Sequence, residues 1–482
     1  MSNMRLRFPP SPTGKIHVGN IRTALFNWIW ARKNNGELVL RLEDTDAERS
    51  TKEFEDVIIQ ELNWLGLDVD EGVGVGGEYG PYRQSERKDL YSKYIDQLLE
   101  ENKAYKCYCS QEELDEMREK QKAAGEIPHY DGRCRDAEDK DADDFVVRFK
   151  MPQRNEKIVV DDLIRGRVEF NSEEFDDFVI KKSDGMATYN FAVVIDDALM
   201  KISQVIRGED HLSNTPKQIM IYKALGFDLP KFAHLPLILD EDKAKLKKRS
   251  DDDAVYVGEF RRKGYLPEAL FNFLALLGWS PGDEKEIMSK EEIIKKFDLT
   301  RVNKSGAVFD IEKLNWMNNQ YIQEMDLDRL YELATPYLIE AGYIESKNDI
   351  EKNRLLKILD LTRDGLDYLE QLPSEAELFF TGLEFEDIEN AKNEINDPEV
   401  KEVLNGLIEE LGALDHFSSD NISSVFNKVR KETGVGGRKF YHPLRVALTG
   451  RGSGPDLVSF SEIMGKEEII NRLNKSLELV AS

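Results

Sequence analysis

The 482-residue chain carries 67 lysines and arginines against 93 aspartates and glutamates, a formal charge of −26, and this length predicts about three to five structural units instead of one core. The longest apolar run, ALFNFLALLGW from Ala269 to Trp279, falls short of the ~20 residues that cross a bilayer, and MSNMRLRFPPSP at the start has prolines where a secretory signal needs an apolar segment. A cytoplasmic protein with no membrane segment is therefore expected. The acidic balance argues against a polyanionic partner, although net charge averages over surfaces and local basic faces remain compatible with it.

In chain order, residues 4 to 66 predict strand, loop, helix, strand, loop, helix. MRLRF alternates as a strand does, and IRTALFNWIWARK places Ile21, Leu25, Trp28 and Ile29 at helical spacing before Gly36. ELVLRLE then reads as a second buried strand. Such a βαβ unit implies a parallel sheet covered by helices. The texture changes between about 84 and 190: a charged helix (SERKDLYSKYIDQLLEEN), three cysteines, the acidic loop RDAEDKDADD, and a hairpin in which KSDGM turns FVIKK into ATYNF. The βα rhythm returns with the strand KISQVIRGE and a helix opened by Ser213 and closed near Gly226. From about 255 onward helices dominate, ending in KEEIINRLNKSLELV, and no fixed-period repeat is visible. An α/β fold is expected: a doubly wound parallel-sheet (Rossmann-type) domain interrupted by an α+β insertion and followed by an all-α C-terminal half.

Two stretches are locally basic: KAKLKKR (Lys243 to Arg249), and the segment from Lys428 to Arg451. In the latter Lys428, Arg430, Lys431, Arg438, Lys439, Arg445 and Arg451 face only Glu432 in sequence. A solvated surface and an anion-binding face are both consistent with that composition. The cysteines are odd in number, and Cys107 and Cys109 are one residue apart. A disulfide framework is therefore not expected, and the thiols are reduced or hold a metal.

The loop leaving the first strand, RFPPSPTGKIHVGN, opens a helix at the carboxyl edge of the predicted sheet, where nucleotides bind in doubly wound folds. Small residues there let a phosphate approach the unpaired N–H groups of the helix N-terminus. No GxxxxGK[ST] loop occurs, which counts against the commonest NTPase class.

PPSPTGKIHVGN resembles the HIGH-type signature of class I aminoacyl-tRNA synthetases, and KLKKR, Lys245 to Arg249, resembles their KMSKS-type loop. Within that class SPTG, LRLEDTDAERS, QSER, VIRGEDHLSNTPKQ and PLRVALTGRGSGPDL resemble, in order and nearly end to end, blocks of the bacterial glutamyl-tRNA synthetases. Glutaminyl-tRNA synthetases typically have Glu-Pro-Asn-Gly where this chain has Ser11, Pro12, Thr13 and Gly14. The short paralogue that glutamylates a queuosine base lacks the C-terminal half.

The resemblance implies a two-step reaction. Glutamate attacks the α-phosphorus of ATP to give glutamyl-adenylate and pyrophosphate, and the terminal ribose of tRNA then takes the glutamyl group. The substrate carboxylate is already ionised, so positioning and charge stabilisation suffice and no serine or cysteine nucleophile is needed. It further implies His17 and Lys248 as catalytic groups, with Ser11, Thr13, His17, Gly19, Lys245 and Lys248 holding ATP and its Mg²⁺. Arg7, Ser11, Glu43, Tyr189 and Arg207 would hold L-glutamate, the arginines facing carboxylate and Glu43 facing ammonium. A purely structural Arg7–Glu43 ion pair across adjacent strands is the alternative. The sequence departs from the family at Lys247, where serine is common, and at Asn20.

By the same resemblance Cys107, Cys109, Cys134 and Asp136 would form a structural zinc site, with His129 or Tyr130 as alternative fourth donors. The implied partner is tRNA-Glu, with tRNA-Gln left open, for a monomeric enzyme. The expected domains are 1–84 and 191–240 as two halves of the catalytic domain, 85–190 as an inserted acceptor-arm domain, 241–325 as a stem-contact domain, and 326–482 as an anticodon-binding region divided near 390. There Phe440 and Tyr441 are candidates for base stacking. Rival readings are a non-catalytic tRNA-binding paralogue and another nucleotidyltransferase with a HIGH-type fold.

Overall fold

The structure, a computed structural model, describes residues 4–46, 48–140, 142, 144–152, 155–246, 255–346 and 349–480, with the backbone alone at 349–351. The chain divides into two compact units, 1–261 with 267–314, and 262–266 with 315–482.

In the first unit β1 (Arg5–Phe8), α1 (Val18–Lys33) and β2 (Glu37–Leu40) form the expected βαβ unit, with β1 and β2 parallel and Arg7 opposite Val39. All four residues of β1 are buried, so its two arginines lie inside the sheet layer. The helix α1 carries Arg32 and Lys33 in its last turn, where they complement the carbonyl end. Next comes α2 (Lys52–Trp64), whose cap residue Thr51 accepts from Phe54 N at 3.3 Å, and then β3 (Glu71–Gly72), parallel to β2.

After α3 (Lys88–Glu100), the antiparallel sheet of β4 (Ala104–Cys107), β5 (Val146–Phe149) and β8 (Val179–Lys181) forms the body of the interrupting region. Helix α4 (Gln111–Ala123) begins there with a capping box of Ser110 and Glu113. The hairpin β6 (Lys157–Asp162) and β7 (Gly166–Asn171) lies between β5 and β8 in sequence but joins another sheet, where β6 pairs with β10 (Lys231–Leu235).

The second half of the parallel layer is β9 (Gln204–Gly208) paired with β10 so that Arg207 faces His234 across the ladder. Ser203 N donates to Arg5 O at 3.0 Å, bringing β9 beside β1. The layer therefore reverses direction of progression between β1 and β9, and the crevice at their carboxyl ends is the place where such folds bind ligands.

Two expected elements differ in detail. The hairpin turn at 182–185 forms, but the return is a single bridge, Ala187 with Lys181, made by Lys182 N to Met186 O and Thr188 N to Ile180 O, each 2.9 Å. Tyr189 already opens α5 (Tyr189–Leu199), a helix in which every residue from Phe191 to Asp197 is buried, so that it is covered all round and not on one face. The helix expected from Ser213 is a 3₁₀ turn, Glu209–Asn214, followed by α6 (Thr215–Leu225). Pro216 in its first turn costs no hydrogen bond there, and Gly226, at φ 71°, closes it as expected.

Beyond β11 (Ile238–Leu239), helices α7 (Val257–Lys263), α8 (Pro267–Leu276) and α9 (Lys290–Lys296) follow, and β12 (Ala307–Val308) returns to pair with β11. The run ALFNFLALLGW lies mostly in α8 and is core, as expected, and no helix among the described residues is long and apolar enough to cross a membrane.

The second unit is helical, with its longest helices at Pro398–Gly412 and Ser419–Thr433, and Phe426, Phe440 and Phe460 fill its core. Phe440 is 1 % exposed and lies edge-on to Phe426, so it is not available for stacking, whereas Tyr441 is 38 % exposed. The basic segment is also less naked than its sequence suggests. Lys428 pairs with Glu410 at 2.6 Å, Lys439 with Glu399 at 3.4 Å and Arg451 with Glu377 and Glu386. Acids from other helices supply the partners that local sequence lacks.

Candidate active site

A cavity of about 570 Å³ opens where β1 and β9 diverge. Its walls include Arg7, Ser11, Thr13, His17, Gly19, Glu43, Tyr189, Arg207 and Lys245. The structure thus gathers nine of the expected ATP and glutamate residues around one space. Lys248 lies outside the described residues.

The loop from Pro9 to Gly14 is fastened from two sides. Glu43 N donates to Pro10 O at 3.0 Å and Thr51 N to Pro12 O at 3.2 Å, so the turn is tied to the residues that follow β2 and precede α2. His17 caps α1: its Nδ1 accepts from Gly19 N at 3.1 Å, which turns the ring to the helix entrance. Residues just beyond the undescribed stretch 247–254 return to the same place. Tyr256 bridges His17, Val257 N donates to Ile16 O at 3.2 Å, and the Lys15 ammonium lies 5.5 Å from the centre of the Tyr256 ring.

Behind Arg7, which lines the cavity, lies a buried ion network. Arg7 Nε lies 3.3 Å from both oxygens of Asp197, whose Oδ1 also accepts from Arg41 Nη1 at 2.7 Å. Arg41 Nε is 3.6 Å from Asp196, which in turn binds Arg87 Nε at 2.6 Å, Gln84 Nε2 at 2.8 Å and the Tyr91 hydroxyl at 3.0 Å. The ion-pair partner of Arg7 is thus Asp197 and not Glu43.

Glu43 Oε1 sits 3.6 Å from Arg41 Nη2, too far to hydrogen-bond, and has no hydrogen-bond partner among the described residues. Burial pushes its carboxyl up to about 7 in spite of Arg41 and Arg7. Ionising it therefore costs stability as pH rises from the usual carboxylate range through about 7, unless a cation arrives.

Around the rim, the Tyr189 hydroxyl lies 3.2 Å from His211 Nδ1, and burial with Arg207 nearby pushes His211 down to about 4. Lys245 Nζ reaches Asp210 at 3.1 Å, and Leu246 N donates to Ile238 O at 3.0 Å. Arg22, on the buried face of α1, donates to the carbonyls of Leu277 and Pro236, and burial lowers it to about 10.

Sequence reasoning missed Asp197, Asp196, Arg41, Arg22 and His234. A signal existed for two of them: adjacent aspartates inside the apolar run FAVVIDDAL require buried partners. The pairing itself is long-range and has no local trace.

The three thiols form a second site. Cys107, Cys109 and Cys134 sulfurs lie within 4.8 Å of one another, with Cys109 and Cys134 at 3.4 Å. Asp136 does not join them. Its side chain is 87 % exposed and its Oδ1 lies 4.0 Å from Lys150 Nζ, because the turn after Cys134 points it outward. The Tyr130 oxygen instead stands 3.3 Å from Cys107 Sγ and 4.0 Å from Cys109 Sγ, and accepts from Cys134 N at 3.2 Å. His129 is turned away, toward Gln121 and Ile127 O. Burial raises the Cys107 thiol, but the Tyr130 hydroxyl, the backbone at Cys109 and Arg148 outweigh it and bring it to about 7. A donor set of three thiols and one oxygen suits a tetrahedral metal.

Residues 3–316 match the family model for the catalytic domain of class I tRNA synthetases (E and Q), and residues 329–477 match the anticodon-binding domain model. The chain is 51 % identical to glutamate–tRNA ligase 1 of Thermoanaerobacter sp. over all of both chains. It is 46 % identical to glutamate–tRNA ligase of Bacillus subtilis over 98 % of this chain and 99 % of that one. Among solved structures, a glutamate tRNA ligase from Elizabethkingia meningosepticum in complex with its amino acid superposes with a TM-score of 0.91 at 38 % identity, covering 99 % of each chain.

Proposed function

The chain belongs to the class I tRNA synthetases (E and Q), and from that membership we infer that it is a glutamate–tRNA ligase. It joins L-glutamate to tRNA in two ATP-dependent steps, through glutamyl-adenylate and then transfer to the terminal adenosine. The observation that carries this reading is the single cavity at the β1–β9 switch, which brings the HIGH-type loop, Glu43, Arg7 and Arg207 together.

In this reading the adenine nucleotide lies over the entrance of α1, against Ser11, Thr13, His17 and Gly19, with Lys245 and Lys248 closing on the phosphates. Mg²⁺ entering with the nucleotide would offset phosphate charge beside Lys245 and Lys248. Glutamate lies deeper: Arg7, Tyr189 and Arg207 face its carboxylates, Ser11 lies beside it, and Glu43 takes its ammonium. Bound this way, the substrate's own carboxylate is held against the α-phosphorus, and no protein nucleophile is required. The binding-only alternative has no physical use for a buried Glu43 oxygen left without a hydrogen bond close to Arg41. Glutamate-dependent release of AMP and pyrophosphate in the presence of tRNA-Glu tests the assignment, and tRNA binding without AMP release would reverse it.

Glu43 gives a second test. Because its carboxyl is raised to about 7, the KM for glutamate is expected to fall as pH rises from 6 to 8, where the ionised form meets the ammonium. Glu43→Gln is expected to raise that KM and abolish this pH dependence, and a retained profile would exclude Glu43 as its source.

We assign zinc to the three thiols, with the Tyr130 oxygen in place of Asp136 as the fourth donor, as a brace for the region 85–190. Metal analysis of the purified chain is expected to give one zinc, retained in Asp136→Ala and weakened in Tyr130→Phe. Loss in Asp136→Ala alone would restore the ligand set expected from the sequence.

The domain limits we propose are 1–84 with 191–240 for the catalytic halves, joined by the β6–β7 hairpin (157–171) that pairs with β10, the rest of 85–190 for acceptor-arm binding, 241–325 for stem contact and 326–482 for the anticodon region. The enzyme acts as a cytoplasmic monomer on tRNA-Glu, and charging of tRNA-Gln is decided by the same assay with that tRNA.

A further inference from the structure

Arg207 is held from behind by two polar partners. Its Nε lies 3.1 Å from His234 Nε2 and its Nη2 donates to Thr215 Oγ1 at 2.8 Å. His234 is 0 % exposed, and its Nδ1 is 2.6 Å from Oδ2 of Asp162, a carboxylate equally out of solvent. The tautomer follows from these partners. An ionised carboxylate only accepts, so Nδ1 carries the proton and Nε2 offers its lone pair to the Arg207 Nε–H. Burial, reinforced by Arg207 and only partly countered by Asp162, lowers the imidazole and keeps it neutral.

Asp162 is fixed in turn. Its Oδ1 accepts from Ile164 N at 2.9 Å and Arg165 N at 2.8 Å, the turn that joins β6 to β7. The strand registers agree with the chain of bonds, since Asp162 faces Phe232 and His234 faces Arg207. The same turn reaches a cavity-lining residue through Glu209: Arg165 pairs with Glu209, and Glu209 Oε1 accepts from the N of Leu237, which lines the cavity, at 2.8 Å.

We propose that Asp162 and His234 are positioning residues that fix the angle of the Arg207 guanidinium, so that the β6–β7 hairpin sets the affinity for the substrate carboxylate. The proposal rests on the reading of Arg207 as a carboxylate-binding group. With Nε and one edge of Nη2 held by the protein, the Nη1/Nη2 end remains for paired hydrogen bonds to an incoming carboxylate. A guanidinium released from His234 would keep its charge but lose that orientation. Its loss should therefore fall on glutamate binding and spare ATP.

The test is steady-state kinetics of the full chain with tRNA-Glu, reading the KM for glutamate and the KM for ATP separately. Asp162→Asn has nearly the same shape but sets an amide N–H against the imidazole, which forces the proton to Nε2 and sets two donors against each other at Arg207. It is expected to raise the KM for glutamate about tenfold, the equivalent of ~1.4 kcal/mol, with the KM for ATP little changed. His234→Leu should do the same, and His234→Gln, whose amide oxygen can take the Arg207 N–H, should recover most of the loss.

Arg207→Lys serves as the control for the underlying reading. If it leaves the KM for glutamate unaltered, Arg207 does not bind carboxylate and the proposal falls with that reading. If Arg207→Lys raises this KM while Asp162→Asn and His234→Leu do not, the positioning role alone is overturned. Should Asp162→Asn not fold, the His234→Leu and His234→Gln pair decides: equal losses in both, shared between glutamate and ATP, mean a merely structural role.

Discussion

Asp197→Ala is expected to destabilise the first unit by about 3–5 kcal/mol, the cost of leaving a buried charge without its partner. Asp197 is 3 % exposed and neutralises Arg7 and Arg41 together, both of them buried in the sheet layer. Removing it sets two guanidinium groups side by side with only Glu43 and Asp196 near Arg41, each at 3.6 Å. Asp197→Asn keeps the shape and one acceptor, so its loss should be smaller. The carboxylate is held below its ordinary range by Arg7 and Arg41 against the opposing effect of burial, so its stabilisation is present at neutral pH and is lost as pH falls through that lowered value. Thermal unfolding of the two variants followed at neutral pH checks the order. An Asp197→Ala protein as stable as the parent would mean that the network is not what holds the sheet layer together.

Lys248→Ala is expected to slow adenylate formation by about 100-fold or more, the usual effect of removing one group that stabilises developing charge, while tRNA affinity changes little. The lysine belongs to the stretch that resembles the KMSKS-type loop, and the described residues on either side both lead to the cavity: Lys245 at the rim, and Tyr256 beside His17 at the entrance of α1. Pre-steady-state release of pyrophosphate and a tRNA filter-binding titration separate the two quantities. Equal loss in both would place Lys248 in tRNA binding and remove it from the chemistry. Lys247, where serine is common in the family, makes a useful companion variant: Lys247→Ser should alter the rate far less than Lys248→Ala.

Much of the first unit was legible because its signals are local. The alternation of MRLRF, the helical spacing of Ile21, Leu25, Trp28 and Ile29, and the glycine after the helix at 215–225 each fix an element from within a few residues. The expected site residues His17 and Glu43, in loops, and Arg207, in β9, were nameable for the same reason, since each sits in a contiguous motif, and the structure brings them to one cavity. The parts that were not legible are those made by long-range pairing. Nothing near Arg7 in sequence points to Asp197, and nothing near Lys428 points to Glu410. Asp136 shows the converse failure: motif spacing put it beside Cys134, but the local turn sent its carboxylate to solvent and brought the earlier Tyr130 to the thiols. The β6–β7 hairpin has no separate reading in the sequence, where residues 157–171 simply fall within the expected insertion 85–190. Only its pairing with β10 ties Asp162 to the cavity wall.

The measurement that bears most directly on the central claim is transfer of labelled glutamate to purified tRNA-Glu in the presence of ATP and Mg²⁺. The account predicts an alkali-labile, ester-linked product that forms only with all three substrates and is lost in Lys248→Ala. A folded protein that binds tRNA-Glu and yields no such ester would contradict it.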